Sequence, residues 1–237
     1  MSIHILDRRL QFPDPREANA EGLVAVGGDL SAPRLLLAYR SGLFPWTVRP
    51  VTWWSPDPRG VFELDGFHVS HSLARVLRQR RFEVTLDRAF GEVMAGCAKP
   101  AVGRRTTWIT PEFIAAYTEL HRQGHAHSLE CWQNGRLAGG VYGVAVGGLF
   151  AGESMFHVIT DASKVALFHL VEHLRARGFL LFDVQTLTSI TIRLGAVTID
   201  REEYLGRLAE AVQKDASFRG ALPEPEAVRA KPPGPGG

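Results

Sequence analysis

The sequence predicts an α+β protein with a mixed sheet and flanking helices, and two stretches carry that prediction. Residues 127–158 have the pattern of three successive strands, because Asn134-Gly135 and Gly147-Gly148 are favoured two-residue hairpin turns between apolar runs. A helical stretch from Asp161 to Gly178 follows, and it leads into the run "FLLFDVQ". That run is almost entirely apolar, which is typical of a strand inside a sheet. Hairpins followed by a helix and a central strand define the predicted class.

The chain ahead of these stretches predicts a separate, small N-terminal domain. Its first sixty or so residues are rich in Pro, Gly and Trp. Ser31 can cap a short helix, Pro33 suits the first turn of that helix, and Gly42 can end it. The run "VTWWSPDPRGVF" then has the pattern of a strand and a proline-containing turn. We therefore divide the chain into three parts: a small domain, 1–65; a larger domain, 66–216; and a Pro/Gly-rich tail that is disordered by composition, 217–237.

Further helices and strands of the larger domain follow from local signals. We predict a helix from Phe67 to Arg81, the strand "FEVTL" after it, and a helix over "DRAFGEVMAGCA". The next helix has Thr110 as its cap, Pro111 in its first position and Gly124 as its stop. Beyond the central strand we expect a helical turn at "SITIRLG", a short strand at "AVTI" and a last helix at "REEYLGRLAEAVQK".

Composition and charge are those of an ordinary globular protein. The chain has 237 residues and a formal net charge of +2, so its total charge does not indicate a nucleic-acid-binding protein. No apolar run reaches the roughly 18 residues that a membrane span needs. The N-terminus carries charges and prolines where a signal peptide has an apolar segment, so we expect a cytoplasmic protein. Cys97 and Cys131 match no metal pattern and are expected to be reduced core thiols.

Three polar side chains lie in apolar, strand-like runs and are candidates for a functional site. Strand alternation puts Leu181, Asp183 and Gln185 on one face of the central strand, and it puts Glu153 and Met155 together on the last hairpin strand. A carboxylate on a half-buried strand costs free energy unless it is hydrogen-bonded or paired. If the two strands are neighbours, these polar groups line one cleft. The residues alone leave open whether they form a functional site or a structural network.

A group of arginines follows the predicted N-terminal domain. In "SLARVLRQRRFEV", Arg75, Arg78 and Arg81 share one face of a helix, and Arg80 lies beside them. Such a stripe suits a phosphate backbone, but from spacing alone a solvated helix face is the simpler interpretation.

A short histidine motif offers a competing chemistry. The stretch "HLVEH", His169 to His173, matches a zinc signature in which two histidines share a helix face. That signature needs a third ligand further along the chain, where only glutamates in charged or disordered stretches are available. Because a five-residue match arises often by chance, we do not expect a metal.

Several longer motifs together resemble one known family. These motifs are "GLVAVGGDLSAPRLLLAYRSGLFPW", "WWSPDPRGVF", "TWIT", "HAHSLECW", "GGVYGVAVGGLFAGESMF" and "ASKVAL". In this order and at this spacing they resemble the leucyl/phenylalanyl-tRNA–protein transferases, over most of the chain from about Phe12 to Leu208. The resemblance implies a bacterial cytoplasmic enzyme without cofactor, ATP or metal. Such an enzyme takes Leu, Phe or sometimes Met from aminoacyl-tRNA and attaches it to proteins beginning with Arg or Lys, which marks them for degradation.

The same resemblance implies a fold and catalytic residues. The larger domain is expected to be of the acyl-CoA N-acyltransferase (GNAT-like) type. Asp183 and Gln185 match the family's proposed catalytic pair, with Asp183 polarising or deprotonating the attacking amine and Gln185 orienting it or stabilising the tetrahedral intermediate. Glu153, in "GESMF", is expected at the donor site, where its carboxylate binds the donor ammonium or an adenosine hydroxyl.

The resemblance further implies an apolar donor pocket and a tRNA-binding surface. The arginines at 75, 78, 80 and 81 become the expected contact to the tRNA backbone. Strict alternation puts Phe150 opposite Met155, so both can line one pocket only if the strand bends near Gly152. The expected pocket walls are Tyr39, Trp46, Trp108, Tyr117, Phe150 and Met155.

The sequence departs from the family pattern at two positions, and two other functions remain as alternatives. Ile190 and Arg193 stand where the family usually carries His and Ser, which puts acceptor or ribose contacts in doubt. One alternative is a CoA-dependent N-acyltransferase, but "LRARGFL" lacks the glycine-rich loop that cradles a pyrophosphate. The other alternative is an RNA-binding module without catalytic activity.

Overall fold

The computed structural model describes residues 3–100 and 107–224, which form seven α-helices, two short 3-10 helices and two mixed sheets. The predicted α+β class is confirmed. The smaller sheet has the order β1-β2-β4-β3 and contains His4–Leu6 (β1), Leu23–Gly27 (β2), Phe44–Val48 (β3) and Val51–Trp54 (β4).

The larger sheet has seven strands in the order β11-β5-β10-β9-β8-β7-β6. Its strands are Arg59–Phe62 (β5), Glu83–Leu86 (β6), Ala126–Gln133 (β7), Arg136–Val146 (β8), Leu149–His157 (β9), Leu181–Gln185 (β10) and Ala196–Ile199 (β11). The helices are Ala32–Arg40 (α1), His71–Arg78 (α2), Phe90–Ala98 (α3), Pro111–Arg122 (α4), Ala162–Ala176 (α5), Ser189–Arg193 (α6) and Arg201–Ala211 (α7).

The predicted run of three strands is confirmed as an antiparallel meander, β7-β8-β9. Its first turn has Asn134 and Gly135 at φ 53° and 72°, the left-handed conformation that a tight hairpin requires. After β9, helix α5 carries the chain to β10, which pairs parallel to β9. The predicted central strand therefore lies inside the sheet, between β9 and β5.

Two hydrophobic clusters cover opposite faces of the larger sheet. Leu181 belongs to the first cluster and its neighbour Phe182 to the second, as alternation along a strand requires. The first cluster also contains Tyr39 and Trp53 of the N-terminal region, so that region packs directly on the larger sheet. Strand β5, which precedes the predicted boundary at residue 65, lies in the larger sheet, whereas the smaller sheet ends with β4.

The arginine-bearing helix is shorter than predicted. It begins after Ser70, whose hydroxyl accepts a hydrogen bond from the Leu73 amide, and its last residue is Arg78. Arg80 then has a φ of 48°, in the left-handed region that a continuing helix cannot use. The predicted helical stripe is therefore wrong beyond Arg78, and Arg81 does not lie on the same helix as Arg75.

The chain after the last helix is more ordered than its composition suggests. Residues 217–224 form no helix or strand, but Phe218 is buried, with 3% of its surface exposed. His173 Nε2 lies 2.7 Å from the Phe218 carbonyl, and Arg177 donates to the Ser217 carbonyl at 2.9 Å. The expected disorder from residue 217 is thus wrong at this point, because an aromatic anchor holds the segment. The remainder of the predicted tail, 225–237, lies outside the described residues.

Both cysteines are buried and neither forms a disulfide, as predicted for core thiols. Burial raises the pKa of Cys131 to about 12, so its thiol stays protonated. In the part of the chain that the structure describes, no helix combines the length and the apolar character of a membrane span.

Candidate active site

A cleft opens where strands β9 and β10 separate. The two strands pair at only three positions, the last being Asp183 opposite Ala151. Beyond them a cavity of about 930 Å³ lies between the strands, within the size range of small-molecule sites. Gln185, at the end of β10, has a φ of 57°, and the pairing of β10 with β5 shifts register between Asp183 and Gln185. The central strand therefore turns away from its neighbour at the cleft.

A bulge in β9 puts Glu153 at this cleft. Tyr142 pairs with Ser154 and Gly143 pairs with Gly152, which leaves Glu153 as an extra residue. The bulge reverses the alternation after Gly152, so Phe150 and Met155 lie on the same side of the sheet, although only Met155 lines the cavity.

The expectation that Glu153 and Met155 share a face is consequently wrong. Glu153 bonds to Tyr39 and Tyr117 of the first cluster, whereas Met155 packs against the second. Both residues nevertheless line the cavity, which opens at the edge of the bulged strand.

Three donors hold the Glu153 carboxylate. Tyr39 donates to Oε1 at 2.7 Å, Tyr117 donates to Oε2 at 3.2 Å, and Gln185 Nε2 donates to Oε1 at 3.2 Å. Burial, with a smaller contribution from the Asp183 charge, raises the pKa of Glu153 to about 7, although the hydrogen bonds from Tyr39 and Tyr117 oppose this rise. Near neutral pH this carboxyl group therefore exists in both protonation states, as suits a group that binds a cation or transfers a proton.

Asp183 lies behind the cleft in a buried ion pair. Arg59 donates to its two oxygens at 2.9 and 2.6 Å, and Tyr204 donates to Oδ2 at 2.9 Å. Oδ1 also accepts the backbone N–H of Gln185 at 2.8 Å. Asp183 and Arg59 are each 1% exposed, and Asp183 is absent from the residues that line the cavity. Of the three polar residues expected to line one cleft, Glu153 and Gln185 do so, whereas Asp183 is buried behind them.

Gln185 departs from the predicted alternation because of its left-handed backbone. Sequence alternation puts Val184 on the face opposite Gln185, but both residues line the cavity. The Asp183 carboxylate fixes this turn through the Gln185 N–H, and the Gln185 side chain then reaches Glu153.

Arg59 and Tyr204, which no sequence pattern singled out, hold Asp183 behind the cleft. The Arg59 guanidinium lies between two rings, 4.3 Å from the Tyr204 ring centre and 4.9 Å from that of Phe44. An arginine inside the strand "RGVF" was the available signal, since a charged side chain in such a strand needs a partner. Nothing in the sequence pairs it with Tyr204, which comes from the last helix.

The predicted pocket walls are met in part. Trp46, Trp108 and Met155 line the cavity. Tyr39 and Tyr117 are buried and hold Glu153, so they support the site from behind. Phe150 is 1% exposed and packs edge-on against Phe182 at 5.7 Å, so it is not a wall. Apolar walls that the prediction missed include Phe44, Phe62, Val141, Leu167 and Phe182.

The other candidate residues lie apart from this cavity. Arg75, Arg78, Arg80 and Arg81 are exposed. In the zinc-like motif, His173 is buried against the Phe218 carbonyl, and burial lowers the pKa of His169 to about 4. Among residues 3–100 and 107–224, no three His, Cys, Asp or Glu side chains converge as metal ligands would.

Comparison with known proteins agrees with the resemblance found in the sequence motifs. Residues 61–209 match the family model of the leucyl/phenylalanyl-tRNA protein transferases, and residues 28–57 match the model of their N-terminal domain. A leucyl/phenylalanyl-tRNA–protein transferase of Nitratidesulfovibrio vulgaris (strain DP4) is 49% identical over 94% of this chain and 98% of its own length. Its counterpart in Anaeromyxobacter sp. (strain Fw109-5) is 52% identical over 90% of this chain and 92% of its own length.

A matching family model and relatives of about 50% identity over most of both chains define the class: an aminoacyltransferase that acts from aminoacyl-tRNA on proteins. The chain belongs to the leucyl/phenylalanyl-tRNA protein transferase family. The resemblance found in the sequence motifs is thereby confirmed.

Proposed function

We propose that this protein transfers leucine, phenylalanine or, in some cases, methionine from its aminoacyl-tRNA to the N-terminal α-amine of proteins that begin with Arg or Lys. The product would carry a destabilising N-terminal residue that marks it for degradation, in the cytoplasm where charged tRNA is available. One observation carries the proposal: of the carboxylates in residues 3–100 and 107–224, Glu153 alone lines a largely apolar cavity of about 930 Å³. An aminoacyl group complements both features, because its apolar side chain suits the walls and its free ammonium suits the carboxylate.

The reaction needs no further energy input, because an aminoacyl ester is already activated. The acceptor nitrogen attacks the ester carbonyl carbon, and a tetrahedral intermediate forms. The bond to the ribose oxygen then breaks, that oxygen takes up a proton, and the amine loses one. The protein's contribution is to hold amine and ester together and to manage these protons.

Glu153 and Gln185 are the groups that touch the substrates in this proposal. The Glu153 carboxylate binds the donor ammonium, and its pKa of about 7 lets it do so in the neutral pH range. The Gln185 amide orients the amine or stabilises the intermediate, since an amide is too weak a base to deprotonate it.

Asp183 has a different role from the one expected from the sequence. Arg59 and Tyr204 already occupy its two oxygens, so it is poorly placed to receive the amine proton. Its hydrogen bond to the Gln185 N–H supports a positioning role, in which it holds Gln185 in the left-handed turn.

The cavity walls would bind the donor side chain. Phe62, Leu167 and Phe182 supply rigid apolar surface, and Met155 supplies an adaptable one. Trp46 and Trp108 line the same cavity. Leucine and phenylalanine share an unbranched Cβ, which suits a pocket of this composition.

The exposed arginines at 75, 78, 80 and 81 would contact the tRNA backbone. Because Arg80 and Arg81 lie beyond α2, the contact surface would be a turn and a helix end rather than one helical stripe.

The topology supports a GNAT-like catalytic domain. Strands β9 and β10 are parallel, helix α5 joins them, and the two strands separate to form the substrate cleft. Coenzyme A is nevertheless a poor donor candidate. The connection from β9 to α5, Val158 to Asp161, contains no glycine and cannot form a glycine-rich pyrophosphate loop.

Transfer of labelled leucine or phenylalanine from charged tRNA to a peptide beginning with Arg tests the proposal. The matched control is the same peptide with an acetylated N-terminus. We expect label in the free peptide only, and none from acetyl-CoA. Binding of charged tRNA at low salt without any transfer would overturn the proposal and favour an RNA-binding module.

A further inference from the structure

The donor pocket is supported from behind by a residue outside the matched family region. The apolar wall Phe182 packs edge-on against Phe150, with ring centres 5.7 Å apart. Phe150 in turn stacks on Phe218, with ring centres 5.2 Å apart and an interplanar angle of 20°. Phe218 lies nine residues beyond position 209, where the match to the family model ends.

We propose that Phe218 is a specificity-determining residue of the donor pocket: it fixes the depth of the pocket by holding Phe150 against Phe182. The proposal rests on the transfer from leucyl- and phenylalanyl-tRNA described above. Phe218 touches no substrate, so it is a positioning residue rather than a catalytic one.

The packing around Phe150 leaves Phe218 as its support on one side. On another side, the ring lies so close to Gly143 that a Cβ on this glycine would be 2.6 Å from it. Phe182 is fixed similarly, because a Cβ on Gly152 would be 2.9 Å from its ring. Both glycines therefore set how far the two rings enter the sheet, and Phe218 sets how far Phe150 can withdraw.

Phe218 is itself held firmly. Its ring stacks on His127 at 4.3 Å and meets His173 at 4.7 Å. The hydrogen bond between its carbonyl and His173 Nε2, at 2.7 Å, anchors the backbone to α5. A side chain with these contacts can transmit a fixed position to Phe150, whereas a loosely packed one could not.

The direction of the effect follows from volume. Replacing Phe218 by Leu removes part of the ring and leaves space behind Phe150. If Phe150 and then Phe182 relax toward that space, the pocket deepens, and a phenylalanyl group gains relative to a leucyl group. A direct change of one methylene in a pocket alters selectivity about 10- to 200-fold, so an effect through two rings should be smaller, about three- to ten-fold.

The experiment compares kcat and KM for leucyl- and phenylalanyl-tRNA in the full-length protein, Phe218→Leu and a control, Phe82→Leu. Phe82 is buried in the same cluster but does not line the cavity, and its ring packs under the Arg81 guanidinium, away from the walls Phe62 and Phe182. We expect the ratio of kcat/KM for phenylalanyl over leucyl donors to rise three- to ten-fold in Phe218→Leu, mainly through KM. We expect the ratio to stay unchanged in Phe82→Leu.

An unchanged ratio in Phe218→Leu, or an equal change in Phe82→Leu, would overturn the inference. Should Phe218→Leu fail to fold, Phe218→Met keeps most of the volume but removes the stacked ring, and the same criterion applies to it. Failure of the unaltered protein to use either donor would instead overturn the proposed function.

Discussion

Replacing Glu153 by Gln removes the cavity's carboxylate while keeping its shape, and it should impair activity while stabilising the fold. The folded protein raises the pKa of Glu153 from 4.5 to about 7, mainly through burial. Between those values the folded state retains a proton that the unfolded state releases. Stability therefore falls as the pH rises from about 4.5 to about 7.

The size of the stabilisation follows from this shift. At about 1.4 kcal/mol per pKa unit, keeping Glu153 ionised costs on the order of 3 kcal/mol above pH 7. A neutral Gln avoids this cost but donates where a carboxylate oxygen accepted, so a net gain of about 1 to 3 kcal/mol is expected. For a chain of this length, each 1 kcal/mol corresponds to about 2–4 °C in Tm.

The loss of activity follows from the lost charge. A hydrogen bond to a charged group contributes about 1.5–3 kcal/mol, which corresponds to a loss of about 10- to 150-fold in kcat/KM for the donor. In the unaltered protein, the carboxylate fraction of Glu153 rises with pH through about 7, so donor binding should strengthen over that range. The contribution of this residue to the pH profile should be absent in Glu153→Gln.

Thermal unfolding at pH 5 and pH 8, combined with donor kinetics across the same range, measures both effects. Glu130→Gln is the matched control, because Glu130 is a buried acid whose pKa is also raised by burial, but it does not line the cavity. It should leave kcat/KM for the donor unchanged. A Glu153→Gln protein that melts lower at pH 8 and still uses the donor normally would refute the reasoning.

Three further changes test other parts of the molecule. Met155→Ala should reduce discrimination between large and small apolar donors while leaving tRNA affinity within about two-fold, and equal losses for all donors in transfer assays would contradict the pocket assignment. Replacing Arg75 and Arg78 by Glu should weaken tRNA binding and lower its salt dependence, which filter binding at several salt concentrations measures. Arg59→Met leaves the Asp183 carboxylate buried without its main partner and should lower the free energy of unfolding by about 3–5 kcal/mol, as denaturant titration would reveal.

The fold was predictable where local signals are strong. Turn residues with the right conformational preference, such as Asn134 and Gly135, and a continuous apolar run in β10 fixed the meander and the central strand. The length of α2 was not predictable from its periodicity. The pattern of arginines continues past Arg78, whereas the helix ends there in a left-handed turn at Arg80.

The sequence singled out Glu153 and Gln185, which meet at the cleft, but it did not predict the geometry that brings them together. Alternation assumes regular strands, and a bulge at Glu153 and a left-handed Gln185 break that assumption at the cleft. The partners of Asp183 also escaped prediction, since Arg59 and Tyr204 are 124 and 21 residues away along the chain. Such contacts depend on tertiary packing, about which a single sequence carries little information.

The two irregularities and the cavity have a common physical cause. If β9 and β10 continued to pair past Ala151 and Asp183, backbone hydrogen bonds would close the space where the cavity now lies. Keeping the strands apart forfeits those bonds, and buried polar groups must then find other partners. Asp183 takes the Gln185 N–H, and the Gln185 side chain bridges to Glu153. These hydrogen bonds therefore have two effects. They replace backbone pairing that the separated strands lack, and they hold the Gln185 amide and the Glu153 carboxylate at the cleft.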